Sequence, residues 1–116
     1  MSNKTALVTG ASEGIGAEFV KILASLGYDL ILVARSEDKL NQLADRIRNE
    51  FEVNCFVIVA DLSKENAAQD LFKTVEANGS QVDFLINNAG VIRDRSFMKM
   101  SQHEWDSVIN LSLIHI

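Results

Sequence analysis

The 116-residue sequence predicts an α/β fold, a doubly wound parallel sheet with helices on both faces that runs to about four strands. Three observations carry this expectation. Short apolar runs rich in branched side chains alternate strictly with segments whose apolar residues recur at helical spacing. One of those runs, Tyr28 to Ala34, is almost unbroken in its hydrophobicity, as a strand covered on both faces has to be. Small or polar residues stand where each run ends: Thr9 and Gly10, then Arg35, then Asp61, then Asn87 to Gly90. In doubly wound sheets the ligand lies beyond those carboxyl ends, where the strand order reverses.

The first strand leads through Thr5-Ala-Leu-Val-Thr-Gly-Ala-Ser-Glu-Gly-Ile-Gly16 into a glycine turn and then a helix. Glycine at 10, 14 and 16 permits tight or positive-φ backbone and lets a phosphate-bearing ligand approach bare peptide N–H groups. The helix that follows has its unpaired N–H groups and positive dipole end at the turn, so an anion suits that position. Its apolar residues Ile15, Phe19, Ile22, Leu23 and Leu26 predict the buried face, and Gly27 stands where a C-terminal cap belongs. After the second strand, Tyr28 to Ala34, a helix starts near Glu37. Leu40, Leu43, Ala44 and Ile47 form its buried face, with Lys39, Gln42, Asp45 and Arg46 toward water.

Val53 to Ala60 reads as the third strand. Ala68, Leu71, Phe72 and Val75 mark a third helix, which Asn78-Gly79-Ser80 ends, and Val82 to Asn87 reads as the fourth strand. A last helix is expected to start at Ser101, where Ser101 and Glu104 form a capping box and Met100 and Trp105 have the spacing of a hydrophobic staple. Trp105 is thereby a packing residue. His103 and His115 have no sequence-near partner that would make either one a base.

Composition sets the outer bounds. A formal charge of −5 and a pI near 4.9, with scattered basic residues, argue against nucleic acid or an anionic membrane as partner. The single cysteine, Cys55, lies in an apolar run and reads as a small buried hydrophobe. No Cys/His cluster has ligand spacing, so no metal is expected. Met1-Ser-Asn-Lys leads straight into a strand with no long apolar segment behind it, which argues against a signal peptide or membrane span and makes the cytoplasm the expected compartment.

The glycine turn alone leaves several readings open: a tight connection with no ligand, a methyltransferase-like loop, or a nucleoside triphosphate site. The last is disfavoured because no Gly-Lys-Ser/Thr follows at P-loop spacing. The spacing also differs from Gly-x-Gly-x-x-Gly. Taken together, Thr9-Gly10-Ala11-Ser12-Glu13-Gly14-Ile15-Gly16, Asp61-Leu62 and Asn87-Asn88-Ala89-Gly90 resemble the classical short-chain dehydrogenase/reductase family, each motif at a strand end and all in order. The resemblance covers Lys4 to about Asn110 and implies a Rossmann-type domain with a nicotinamide cofactor. It implies that Gly10, Ser12, Gly14, Ile15 and Gly16 hold the pyrophosphate, that Asp61 and Leu62 flank the adenine, and that Asn88, Ala89 and Gly90 line the cofactor.

Arg35 bears on the choice of cofactor. NAD-dependent relatives place an acid at the end of the second strand to accept from the ribose 2′-hydroxyl, whereas an arginine accommodates a 2′-phosphate. Here the strand ends Val33-Ala34-Arg35-Ser36 with no acid before the arginine, and Ser36 adds a hydroxyl donor. This favours NADP(H) over NAD(H). The plain alternative is a solvated arginine ahead of a helix, and Glu13, whose carboxylate would repel a phosphate, points the other way.

Within the family, Asn87 to Trp105 looks most like the reductases of 3-oxoacyl thioesters, including acetoacetyl-CoA reductases. Arg93, Arg95 and Lys99 there either attract an anionic carrier or form a solvated loop. A steroid, sugar or xenobiotic carbonyl is the other substrate class. The resemblance implies a homo-oligomeric parent that takes a small carbonyl or acyl thioester. It also implies a serine and a Tyr-x-x-x-Lys that this chain does not contain: its only tyrosine, Tyr28, has Leu32 four residues on. The family's helical asparagine falls at Ser112, so residues 111–116 are expected to be an atypical tail or truncation junction after an N-terminal half-domain over 1–110. The chain then reads as the cofactor-binding half of a reductase, with a non-catalytic dinucleotide-binding module or a truncated product as the alternatives.

Overall fold

Apolar runs of five or six residues form extended strands because β-branched side chains pack well on a pleated surface and the runs are too short for stable helices. The computed structural model describes residues 4–12, 14–62, 64, 66–79, 82–87 and 109–115. Within them the order is β1 (Thr5–Thr9), α1 (Gly14–Ser25), β2 (Asp29–Ala34), α2 (Glu37–Glu50), β3 (Cys55–Val59), α3 (Ala67–Ala77), β4 (Val82–Asn87) and β5 (Ile109–His115). The strands form one sheet in the order β3-β2-β1-β4-β5, and every pairing is parallel. The strand order reverses between β1 and β4, as a doubly wound sheet requires.

Register sorts the side chains onto two faces. Phe84, Ala6, Leu30 and Cys55 stand in one row across β4, β1, β2 and β3, and Ile86, Val8, Leu32 and Val57 in the next. Those rows meet Val20 and Ala24 of α1 and Leu40, Leu43, Ala44 and Ile47 of α2 in one core. On the other face Leu7, Ile31, Val33 and Leu85 pack against Leu71, Phe72 and Val75 of α3. β2 is buried along both faces, as its unbroken hydrophobicity requires. β3 is an edge strand, and Phe56 and Val59 on it are exposed.

Local signals place the ends of the elements. Ser36 caps α2 in extended geometry and its hydroxyl accepts from the Lys39 N–H. α1 closes at Gly27, which takes φ +90°; the Gly27 N–H donates to the Ala24 carbonyl and the Tyr28 N–H to the Leu23 carbonyl. This is the paired closure that a left-handed residue permits. Below the sheet, the Asp83 carboxylate accepts from the Thr5 N–H at 2.9 Å and that of Asp29 from the Asn54 N–H at 2.9 Å, tying β4 to β1 and β2 to the entry of β3.

Two expectations are corrected. The buried face of α1 is Gly16, Val20 and Ala24, while Ile15, Ile22 and Leu26 are exposed and Phe19 and Leu23 half-buried. Small residues at i, i+4 and i+8 let the helix approach the sheet more closely than a row of Ile and Leu would. The second correction concerns the carboxyl end. In place of the helix expected to carry position 112, Ile109 to His115 form β5 beside β4, across the boundary expected at 110. Without it β4 would present an open row of N–H and C=O groups, and Ile109-Asn-Leu-Ser-Leu has the alternation of a strand. One extra residue of β5 lies between the Val82–Ile109 and Phe84–Ser112 pairs. The helix start expected at Ser101, with Met100, His103, Glu104 and Trp105, lies outside the described residues. Smaller differences are that β2 begins at Asp29 and β3 spans Cys55–Val59.

Candidate dinucleotide site at the carboxyl ends of the strands

Chains leave β1 toward one face of the sheet and enter β4 from the other, so a crevice opens above their carboxyl ends. Thr9, the last residue of β1, is fully buried, and its hydroxyl donates to the Ile86 carbonyl of β4 at 3.4 Å. Motif spacing alone does not show this role of Thr9. A hydroxyl at the end of an otherwise apolar buried strand is the signal that points to it.

The chain then turns at Gly10, φ +64°, and the Ala11 N–H donates to the Val33 carbonyl of β2 at 3.1 Å. That bond anchors the glycine turn to the neighbouring strand. Gly14 opens α1 at φ +53°, and a Cβ there would meet nothing within 4 Å. Backbone conformation therefore calls for glycine at 14, and the space before it is open. No acidic residue lies in the first turn of α1, at the positive end of the helix; Glu13, just before it, lies outside the described residues. Gly16 is buried against the sheet, Ser12 is half-buried and Ile15 is exposed beside the turn.

The end of β2 forms the next part of the rim. The Ala34 carbonyl accepts from the Ala60 N–H at 2.9 Å, so the exits of β2 and β3 are joined, just as the Val33 carbonyl joins β2 to the glycine turn. Arg35 follows directly and is exposed, and among the described residues no carboxylate pairs with its guanidinium. Ser36 is next to it, half-buried, holding the N-terminus of α2. Asp61 is half-buried at the end of β3. The side chain of Leu62 is only 4% exposed and packs in the α3-side core.

The structure thus brings Gly10, Ser12, Gly14, Ile15, Gly16, Arg35, Ser36 and Asp61 to one edge of the sheet, with Leu62 directed inward beneath it. Asn88, Ala89, Gly90, Glu13, Arg93, Arg95 and Lys99 lie outside the described residues. Tyr28 sits at the opposite end, where its ring meets Phe84 edge-on at 5.5 Å. Cys55, also at that far end, is buried, and desolvation pushes its thiol up to about 11, with the Arg48 charge acting in the opposite direction. Among the described residues no three His, Cys, Asp or Glu side chains converge as a metal site, and no helix is long and apolar enough to cross a membrane.

Positive-φ glycines, a helix N-terminus and an exposed cation at the next strand end fit the pyrophosphate and ribose of a dinucleotide, and they define the nucleotide-binding class of doubly wound α/β folds. The model of the short chain dehydrogenase family matches residues 4–115, and the chain belongs to that family. It is 39% identical over 112 residues to the 3-oxoacyl-[acyl-carrier-protein] reductase FabG of Staphylococcus epidermidis, covering 96% of this chain and 46% of that protein. Acetoacetyl-CoA reductase of an Acinetobacter species is 39% identical over 113 residues, with 95% of this chain and 45% of the relative covered. Among solved structures, a short-chain dehydrogenase from Sphingobium yanoikuyae in complex with NADPH superposes with a TM-score of 0.69 at 39% identity, over 75% of this chain and 34% of the other. The chain therefore spans about half the length of the curated relatives it matches.

Proposed function

We propose that this chain is the NADP(H)-binding half of a cytoplasmic, homo-oligomeric carbonyl reductase whose substrates are 3-oxoacyl thioesters. The observation that carries the cofactor choice is Arg35, an exposed guanidinium without a carboxylate partner among the described residues, at the end of a strand that ends in no acid. A planar fork of donors suits a 2′-phosphate and offers no acceptor to a 2′-hydroxyl. Ser36 supports the same reading, because a hydroxyl that accepts from the Lys39 N–H keeps its own hydrogen to donate to a phosphate oxygen. The glycine turn and the start of α1 receive the pyrophosphate through backbone N–H groups. The NADPH-bound relative supports the cofactor, and two relatives named as reductases of acyl-carrier-protein and CoA substrates support the thioester class.

Bound NADPH supplies the hydride. The residues of this chain bind and orient the cofactor, and Tyr28, its one tyrosine, lies at the far end of the sheet against Phe84. The serine and the Tyr-x-x-x-Lys of the reaction belong to the rest of the reductase.

The test is a fluorescence titration of the chain and its Arg35→Asp variant with each cofactor. We expect NADPH affinity to fall about ten-fold or more, the loss of one charge-assisted contact, while NADH affinity holds. Equal losses for the two cofactors would overturn the assignment.

A further inference from the structure

We infer that Arg48 guards the β3 edge: by occupying the Cys55 carbonyl from α2, it keeps a second copy of this chain from adding its own β3 to the sheet. β3 ends the sheet on that side, and among the described residues no strand lies beyond it. An uncovered edge offers a row of N–H and C=O groups to any other strand.

Register settles which groups face outward. The Leu30 N–H donates to the Asn54 carbonyl at 2.9 Å, and the Ala60 N–H to the Ala34 carbonyl at 2.9 Å. Alternate residues of a parallel strand bond the same neighbour. With Leu30 opposite Cys55 and Ala34 opposite Val59, the residues that bond β2 are therefore Asn54, Phe56, Ile58 and Ala60. Cys55, Val57 and Val59 turn their peptide groups away from the sheet.

The first of those outward groups is taken. Arg48, in the last turn of α2, donates from Nη2 to the Cys55 carbonyl. Its Nη1 donates to the Asp45 carboxylate, three residues earlier, at 3.3 Å, so the guanidinium is held in place by two contacts. Unlike a peptide group, a guanidinium has no acceptor to offer in return, so a ladder cannot continue through it. The rest of the edge is apolar on both faces. Phe56, in the row of Ile31, is 51% exposed, and Val59, in the row of Ala34, is 46% exposed.

The partner turned away follows from symmetry. An antiparallel copy related by a two-fold axis at Val57 sets Val57 against Val57 and Cys55 against Val59, so the outward set is complementary to itself. In that pairing the copy's Val59 N–H needs the Cys55 carbonyl, the group that Arg48 holds, and the same block recurs at the other end of the ladder. Nothing in this depends on the cofactor reading.

Arg48→Met keeps the apolar stem and removes the donors. Residue-resolved amide hydrogen exchange of the 116-residue chain, at about 0.01 and about 1 mM, reads the edge directly. In the parent, the Val57 and Val59 amides should exchange freely at both concentrations, while Phe56 and Ile58, bonded to β2, are protected. In the variant, Val57 and Val59 should slow by about ten-fold or more at the higher concentration only, and sedimentation should move toward a dimer. Adding Val59→Pro removes the donor that the pairing needs and no bond to β2, so Val57 should exchange freely again. Variant amides at 57 and 59 as fast as the parent's would overturn the inference, and so would a parent already protected there. Loss of protection at Phe56 and Ile58 without a dimer would also overturn it, leaving Arg48 a fastener of β3 alone. Protection of Val57 that survives Val59→Pro would place the contact elsewhere and sink it too.

Discussion

Single residues in this chain act through backbone conformation, capping or burial, and each can be tested by itself. Arg35 stands at a junction: the carbonyls of Val33 and Ala34, just before it, hold the glycine turn and the exit of β3, so its backbone lies between two parts of the rim. Cys55 is the opposite case, a side chain removed from water at the start of β3. Burial favours the neutral thiol, so the folded state holds that proton more tightly than the unfolded chain does. Its contribution to stability is complete below the unfolded thiol's value of about 8.5 and is lost as pH rises toward about 11. A thiol-directed reagent should label the native chain at pH 8 far more slowly than the urea-unfolded chain, with the native rate climbing between about pH 9 and 11. Across that window a Cys55→Ala variant should lose less stability than the parent. Labelling at equal rates in the native and unfolded states would show that Cys55 is not buried.

At the scale of elements, α1 and α2 show when a helix can be read from its periodicity. α2 carries Leu40, Leu43, Ala44 and Ile47 on one side and charged residues on the other, so its buried face is legible from the spacing of its residues alone. α1 is apolar over much of its circumference. Its larger side chains suggest one face, but the helix lies on the small one, because closeness to the sheet decides there and hydrophobicity does not discriminate. The start of α2 is equally legible, since a serine before a charged first turn is a local signal. Ser36→Ala should cost about 1 kcal/mol in a denaturant melt, toward the lower end given a contact of 3.5 Å. If Ser36 also meets the cofactor phosphate, the same variant should weaken NADPH more than NADH. A loss of stability with no cofactor effect would leave it a capping residue alone.

For the whole molecule the decisive feature is the open side of the sheet. β5 covers the edge of β4 with a segment whose sequence suggests a helix and then a tail. A chain ending at Val108 should melt several degrees lower and scatter more light at high concentration, because β4 then offers an unpaired edge. An unchanged melt in a monomeric chain would mean that β5 adds nothing to stability. The alternation of elements, the ends of β4, the face of α2, the closure at Gly27 and the placement of Arg35 and Asp61 at strand ends were determined by the sequence alone. Each rests on a short window: a period of two or of 3.6, a cap, or a glycine where φ must be positive. Tertiary structure alone decided which side of α1 is buried, that Leu62 faces the core, that residues 109–115 pair as a strand, and that Thr9 reaches Ile86. Those outcomes depend on how closely a helix can approach a sheet, which edge is left open, and which partners meet across 77 positions of chain, and no local window contains that information.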